Sequence, residues 1–173
     1  MLRSTIALML WALLLGGPAW AGKSAEDEIR AYYADLETTV NSEKYQAEDP
    51  KVLWRFQDVD KMRLFDLMGE DEYVGTDYQK HIEATATKIR GRYEFGPLDI
   101  HADGHVAFVV YMQKFYGKKP DGSTFIIKCR TTDGLTKGSK GWRMIHEHVS
   151  IALDDKTFNA LRGRKGWDDA PDK

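Results

Sequence analysis

From Arg92 onward the chain is written for strands. Tyr93–Ile100, His105–Tyr116, Ser123–Thr132 and Trp142–Leu153 are rich in β-branched and aromatic residues. Turn signals separate them: Asp103-Gly104, Pro120-Asp121-Gly122, and the stretch from Gly138 to Gly141. Four long strands in succession, joined by short turns, make an antiparallel and strongly curved sheet. Pro97 cannot donate to a ladder, so it marks an edge or a bulge in the first of them.

The half before Arg92 has a helical period. Ser24 and Asp27 have the spacing of a capping box, and Ile29, Tyr32, Tyr33, Leu36 and Val40 follow as one apolar stripe, which predicts a helix over Ala25–Ser42. Asp49-Pro50 opens a short helical segment with Val52, Leu53 and Phe56 inward, and Lys61–Leu67 alternates as a strand. Met68 to Asp71 reads as a turn or loop. A third helix starts after Gly75, with Thr76 and Gln79 spaced for a second capping box and Tyr78, Ile82, Thr85 or Ala86, and Ile89 on one side. Helices first and sheet afterwards imply an α+β fold, with three helices on one face of a bent sheet. Helices this short leave part of the concave side unfilled, and ligand pockets form in such places.

The first residues are read as a leader. Arg3 precedes the apolar run Ile6–Leu15, which is too short to span a membrane, and Ala19-Trp20-Ala21 matches the small-x-small pattern of a cleavage site. The expected division is a signal peptide over 1–21 cut after Ala21, a domain over 22–155, and a tail over 156–173 with one helical turn near Phe158 and Leu161. The exported product would be periplasmic or secreted, with no membrane attachment after cleavage. A single cysteine, Cys129, excludes a disulfide within the chain and a Cys-based zinc site. Lys plus Arg is 25 against 27 Asp plus Glu, a net charge of −2, which argues against a nucleic-acid partner. No phosphate-binding glycine loop, haem signature or nucleotide fingerprint is present, so no cofactor is expected.

Three strings carry a resemblance. They are Arg63-Leu64-Phe65-Asp66-Leu67 followed by Tyr73-Val74-Gly75, then Arg130-Thr131-Thr132-Asp133, and Trp142-Arg143-Met144-Ile145-His146-Glu147-His148-Val149-Ser150. With the order of elements, they resemble the NTF2-like superfamily and its SnoaL-like branch over Ala25 to Leu153. The last string is similar to both SnoaL-like proteins and the calmodulin-dependent kinase association domain. The resemblance implies a cone-shaped fold with a pocket, and it does not by itself give the chemistry.

Asp66 is the sharpest candidate for that chemistry. It shares a strand side with Met62, Leu64 and Met68. A carboxylate on an apolar side must be hydrogen-bonded or have a raised pKa, and a raised pKa suits a general base. The resemblance to ketosteroid-isomerase-like members places a proton-shuttling Asp here and an oxyanion-binding tyrosine at Tyr32. Tyr32 and Tyr33 also belong to the core stripe, and Tyr33 and Trp54 are candidates for an aromatic ligand wall. The isomerases add an acid on the strand that is here Phe125–Thr132, where this chain has none and Arg130 or Thr131 stands instead. Arg130 favours an anionic ligand if a bulge turns it inward. Without a bulge it shares the side of Lys128 and Thr132, away from Phe125, Ile127 and Cys129, as a solvated charge.

On the last strand, alternation puts Trp142, Met144, His146, His148 and Ser150 on one side, and Arg143, Ile145, Glu147 and Val149 on the other. The first set is read as a dimer or structural surface. The two His lack a third metal ligand at a recognisable spacing, so no metal is expected. His81 and His101 are read as surface residues. Two functions follow. One is an exported protein that binds a small, largely apolar or anionic ligand and moves a proton next to a carbonyl, with Asp66 as base and Tyr32 or Arg130 steadying the enolate. The other is a non-catalytic homodimer that binds a partner or metabolite.

Overall fold

The computed structural model describes residues 23–46, 49–67, 72–86, 91–119, 121–151 and 154–162. The expected leader, the Met68–Asp71 loop, Ile89 and the last residues of the tail lie outside them. Helix α1 spans Ala25–Val40, and its predicted capping box is formed. Ser24 Oγ accepts from the Asp27 N–H at 3.1 Å, and Asp27 Oδ2 accepts from the Ser24 N–H at 3.3 Å. Its buried stripe is Ile29, Tyr33, Leu36, Thr39 and Val40. The helix ends two residues earlier than expected because Asn41 is used twice. Its side-chain amide donates to Glu37 O and Tyr93 O, both at 2.9 Å, and its Oδ1 accepts from Tyr93 N–H at 2.8 Å. Glu37 accepts from Phe95 N–H at 3.0 Å. The end of α1 thus takes up the outward backbone groups of an edge strand, which protects that edge from pairing with another chain.

A short helix α2 covers Glu43–Gln46, and a 3-10 segment covers Pro50–Arg55, with Leu53 and Phe56 buried as expected. The strands are β1 (Arg63–Phe65), β2 (Glu72–Val74), β3 (Gly91–Phe95), β4 (Asp99–Asp103), β5 (Val106–Lys118), β6 (Thr124–Gly138) and β7 (Gly141–Ile151). Helix α3 (Thr76–Ala86) follows β2, and α4 (Asp155–Arg162) closes the described chain. The second capping box is not what starts α3. Thr76 is already helical, and Gly75, at φ +54°, makes the entry turn that a side chain would resist.

The sheet order is β2-β1-β7-β6-β5-β3, with β4 also on β5. The predicted first long strand breaks at Gly96-Pro97-Leu98 into β3 and β4, which pair with successive stretches of β5. Among the described strands all pairings are antiparallel except β1 with β7. The core fills the space between the helices and the concave face: Ile29, Tyr33, Leu53, Met62, Tyr78, Val109, Leu135 and Met144 are buried there.

One irregularity decides which side chains enter that space. Gly134 pairs with His146 but Leu135 pairs with Met144, so Ile145 is an extra residue, a β-bulge. Met144 is pinned there by the segment before β1. Its N–H donates to Phe56 O, and its carbonyl accepts from Asp58 N–H, both at 2.9 Å. The bulge reverses the alternation predicted for this strand. Trp142 and Met144 are buried, and beyond the bulge it is Glu147 and Val149 that face the interior. His146, His148 and Ser150 turn to the outer face, apart from Trp142 and Met144.

Candidate functional site

The concave side holds a cavity of about 240 Å3. Leu36, Val40, Leu53 and Ile82 line it from the helical side, and Phe115, Ile127 and Val149 from the sheet. Set in this apolar wall are Tyr45, Tyr78, Tyr93, Tyr111, Gln57, Asp66 and Glu147. Among the described residues no Lys, Arg or His lines it. An apolar cavity with a few converging polar groups is the usual form of a small-molecule site.

Glu147 is the most perturbed of these groups. In register it lies opposite Asp133 on β6 and beside Leu64 on β1. Burial pushes its pKa well above the usual carboxylate range, and the neighbouring Asp133 and Asp66 push it further. Glu147 keeps some accessible surface, which it presents to the cavity. Asp133 lies deeper and is fully buried. Its Oδ2 accepts from the hydroxyls of Tyr33 at 2.6 Å and Tyr111 at 3.1 Å. Burial outweighs those two hydrogen bonds and raises its pKa to about 7. Two facing carboxyls in a dry interior cannot both ionise cheaply, so each holds the other toward the neutral acid.

Asp66 follows β1 and also lines the cavity, two residues past Leu64 and so beside Val149 on the same inward face. Its Oδ2 is 2.6 Å from His81 Nε2, and both side chains are more than four-fifths buried. The His81 ring stacks on Tyr73 with centroids 3.8 Å apart and an 18° tilt. His81 is therefore not the surface residue its place in the sequence suggested. Tyr73, on the short strand β2, covers its outer side while Asp66 takes its inner edge. Among the described residues, four buried polar atoms in or behind the wall complete no hydrogen bond of good geometry: Gln57 Oε1, the Tyr78 hydroxyl, Thr131 Oγ1 and Asp133 Oδ1.

An antiparallel-rich curved sheet left open at its ends, roofed by helices over an acid-bearing cavity, invites comparison with known folds. The family model of the SnoaL-like domain matches residues 58–154, more than half of the sequence. The chain belongs to the SnoaL-like domain family. Solved structures agree in fold. An NTF2-like protein from Pseudomonas putida KT2440 superposes with a TM-score of 0.63 at 24% identity, over 79% of this chain and 92% of that one. A candidate dehydratase of the NTF2-like family from Streptomyces avermitilis gives 0.62 at 12% identity, over 76% and 100%. The association domain of C. elegans CaMKII gives 0.57 at 14%, over 75% and 100%. Curated proteins give no match.

Within this SnoaL-like domain the expected site residues separate into three groups. Asp66 is at the cavity. Tyr32, Tyr33, Trp54 and Trp142 are in the packed interior and do not line it. The Tyr32 hydroxyl donates to Phe56 O at 2.8 Å, so its proton is already taken. The Tyr33 hydroxyl is taken by Asp133. Trp54 tilts against Tyr78, ring centroids 6.1 Å apart. Trp142 Nε1 donates to Glu28 at 2.9 Å beneath the start of α1, so it cannot belong to an exposed dimer surface. Arg130, His146, His148 and Ser150 form the third group, on the outer face. Arg130 is exposed there, donating to Ile151 O at 3.3 Å, because β6 has no bulge on its own side to turn it inward.

β6 does carry one buried acid, Asp133, just beyond the stretch Phe125–Thr132. The strand runs past Thr132 to Gly138, and Asp133 continues the inward series of Cys129 and Thr131. Among the described residues no cluster of three His, Cys, Asp or Glu is placed to hold a metal ion.

Proposed function

We propose that this SnoaL-like domain binds a small, uncharged, largely apolar carbonyl compound in its cavity and moves a proton at the carbon next to the carbonyl. The observation that carries the reading is the placement of Asp66 and Glu147 on the inward faces of adjacent strands, in one apolar cavity. The Asp66 carboxylate, oriented by His81, would take the proton from carbon. Glu147, kept neutral by its surroundings, would give its proton to the carbonyl oxygen. The enol is the product, and the reverse transfer regenerates both groups. Glu147 thus takes the role first assigned to Tyr32 or Arg130. An uncharged ligand is favoured over an anionic one, since the ionisable groups of the wall include carboxyls and, among the described residues, no cation.

The test is deuterium exchange at the acidic carbon of an indanone in D2O, followed by NMR. We expect the protein to accelerate exchange, and Asp66→Asn and Glu147→Gln each to lose about a hundredfold of that acceleration. His81→Gln should lose less. No acceleration, or an unchanged Asp66→Asn, would defeat the mechanism.

A second copy of the chain is proposed to pack on the outer sheet face. There Phe65, Phe108, Val110 and Met112 are 39–48% exposed, and one row of the register runs Phe65, His148, Thr132, Val110. Apolar groups arranged contiguously on a surface mark an interaction site. The kinase association domain that shares the fold adds support. Light scattering at tens of micromolar should give a dimer, and the Phe108→Glu, Met112→Glu double variant a monomer. A monomeric wild type would refute it. Export is likewise proposed from Ala19-Trp20-Ala21, and the amino terminus of the protein recovered outside the cytoplasm should be Gly22. An intact Met1 there would overturn that.

A further inference from the structure

We infer that Gln57 and Tyr78 form a polar subsite in the cavity wall that selects an uncharged ligand bearing a hydroxyl group. The inference rests on the cavity reading above and names the class of molecule that the cavity takes. Gln57 is 8% exposed and Tyr78 is fully buried, and both line the cavity. Neither Gln57 Oε1 nor the Tyr78 hydroxyl completes a hydrogen bond of good geometry. Native interiors leave few buried polar atoms unpaired, because each costs its full desolvation. Finding two of them together on one cavity wall calls for an occupant.

Both groups are held in place by the fold. Gln57 is fixed by the bridge between its backbone and Met144, at the bulge of β7. Tyr78 is fixed in the first turn of α3, with Trp54 packed on its ring. Burial raises the Tyr78 pKa, and the Gln57 side chain lies close enough to its hydroxyl to hold that rise down, without closing a hydrogen bond to it. A hydroxyl satisfies both at once, because it accepts from the Tyr78 O–H and donates to Gln57 Oε1. A carboxylate cannot donate to Gln57, and it would meet Asp66 and Glu147 with no cation in the wall. A methyl group in the same position would leave both oxygens unpaired.

The test compares three probes of one ring shape with the unmodified protein: an indanol, the matching methylindane, and an indane carboxylate. Binding is read by protein NMR, and variant stability by thermal unfolding. We expect the indanol to bind about tenfold tighter than methylindane, and the carboxylate to bind weakest. Tyr78→Phe and Gln57→Met should each reduce that preference to near unity. Tyr78→Phe should not lower the melting temperature of the ligand-free protein, since the hydroxyl it removes closes no hydrogen bond there. Equal binding of indanol and methylindane would overturn the subsite and leave the cavity reading standing. Binding of none of the three would overturn both. A clear loss of melting temperature in ligand-free Tyr78→Phe would also overturn it, because the two groups would then be serving the fold.

Discussion

Stability of this domain is expected to fall as pH rises from about 4 to about 7. The reason is Asp133, whose pKa climbs from an ordinary 3.8 to about 7 on folding. Between those values the unfolded chain has lost the proton and the folded one has kept it. Each rise in pH therefore favours the unfolded state, by about 1.4 kcal/mol per unit. The contribution is complete below 3.8 and gone above about 7. Glu147, displaced in the same direction, adds to the decline. Glu94 works the other way. Lys114 and Tyr116 hold it down near 2, so its support is present above an ordinary 4.5 and lost only in acid. Urea melts between about pH 4 and 8 should therefore show a maximum at the acidic end. Asp133→Asn should flatten the slope by close to one proton. A wild-type profile that rises to neutrality would contradict the buried acid pair.

Gly91→Ala should unfold the domain at much lower urea, with a loss of about 3 kcal/mol or more. Gly91 opens β3 opposite Gly117 of β5. A methyl group on it would drive into the carbonyl oxygen of Tyr116 and the ring of Phe115, a buried side chain in the cavity wall. Backbone cannot yield there without breaking the β3–β5 ladder, which carries one side of the cavity. Gly138→Ala is the control. Nothing lies within 4 Å of the added carbon, so its effect should stay within about 0.5 kcal/mol. Equal midpoints for the two variants would show that the ladder is looser than the packing implies.

Much of the architecture was legible because it rests on local chemistry that repeats. The capping box at Ser24, the stripe through Ile29 and Leu36, and the turn signals between strands each specify an element without help from the rest of the chain. The site was less legible because it depends on single-residue events. The bulge at Ile145 lies inside an unbroken strand-like run and has no turn residue to announce it, yet it exchanges the two sides of β7 and brings Glu147 into the cavity. Its cause is distant in sequence: Phe56 and Asp58 claim both backbone groups of Met144. Asp133 is hard to read from sequence for a different reason. An Asp-Gly pair has the chemistry of a turn, and here it sits in mid-strand, where Tyr33 from α1 and Tyr111 from β5 supply its donors. Strand β2 is only three residues long, too short for a period, so the cover that Tyr73 gives His81 could not be anticipated. Asp66 was found because a carboxylate among Met62 and Leu64 is conspicuous in any register.

The measurement that bears most directly on the cavity chemistry is a carbon-detected NMR titration of the Glu147 side chain, assigned by comparison with Glu147→Gln. A neutral Glu147 facing Asp66 predicts a carboxyl resonance that stays at its acid position as pH passes through the ordinary glutamate range near 4.5, in which an unburied glutamate ionises. If the Glu147 resonance moves in that range, the cavity holds an ordinary carboxylate and the proposed proton donor does not exist.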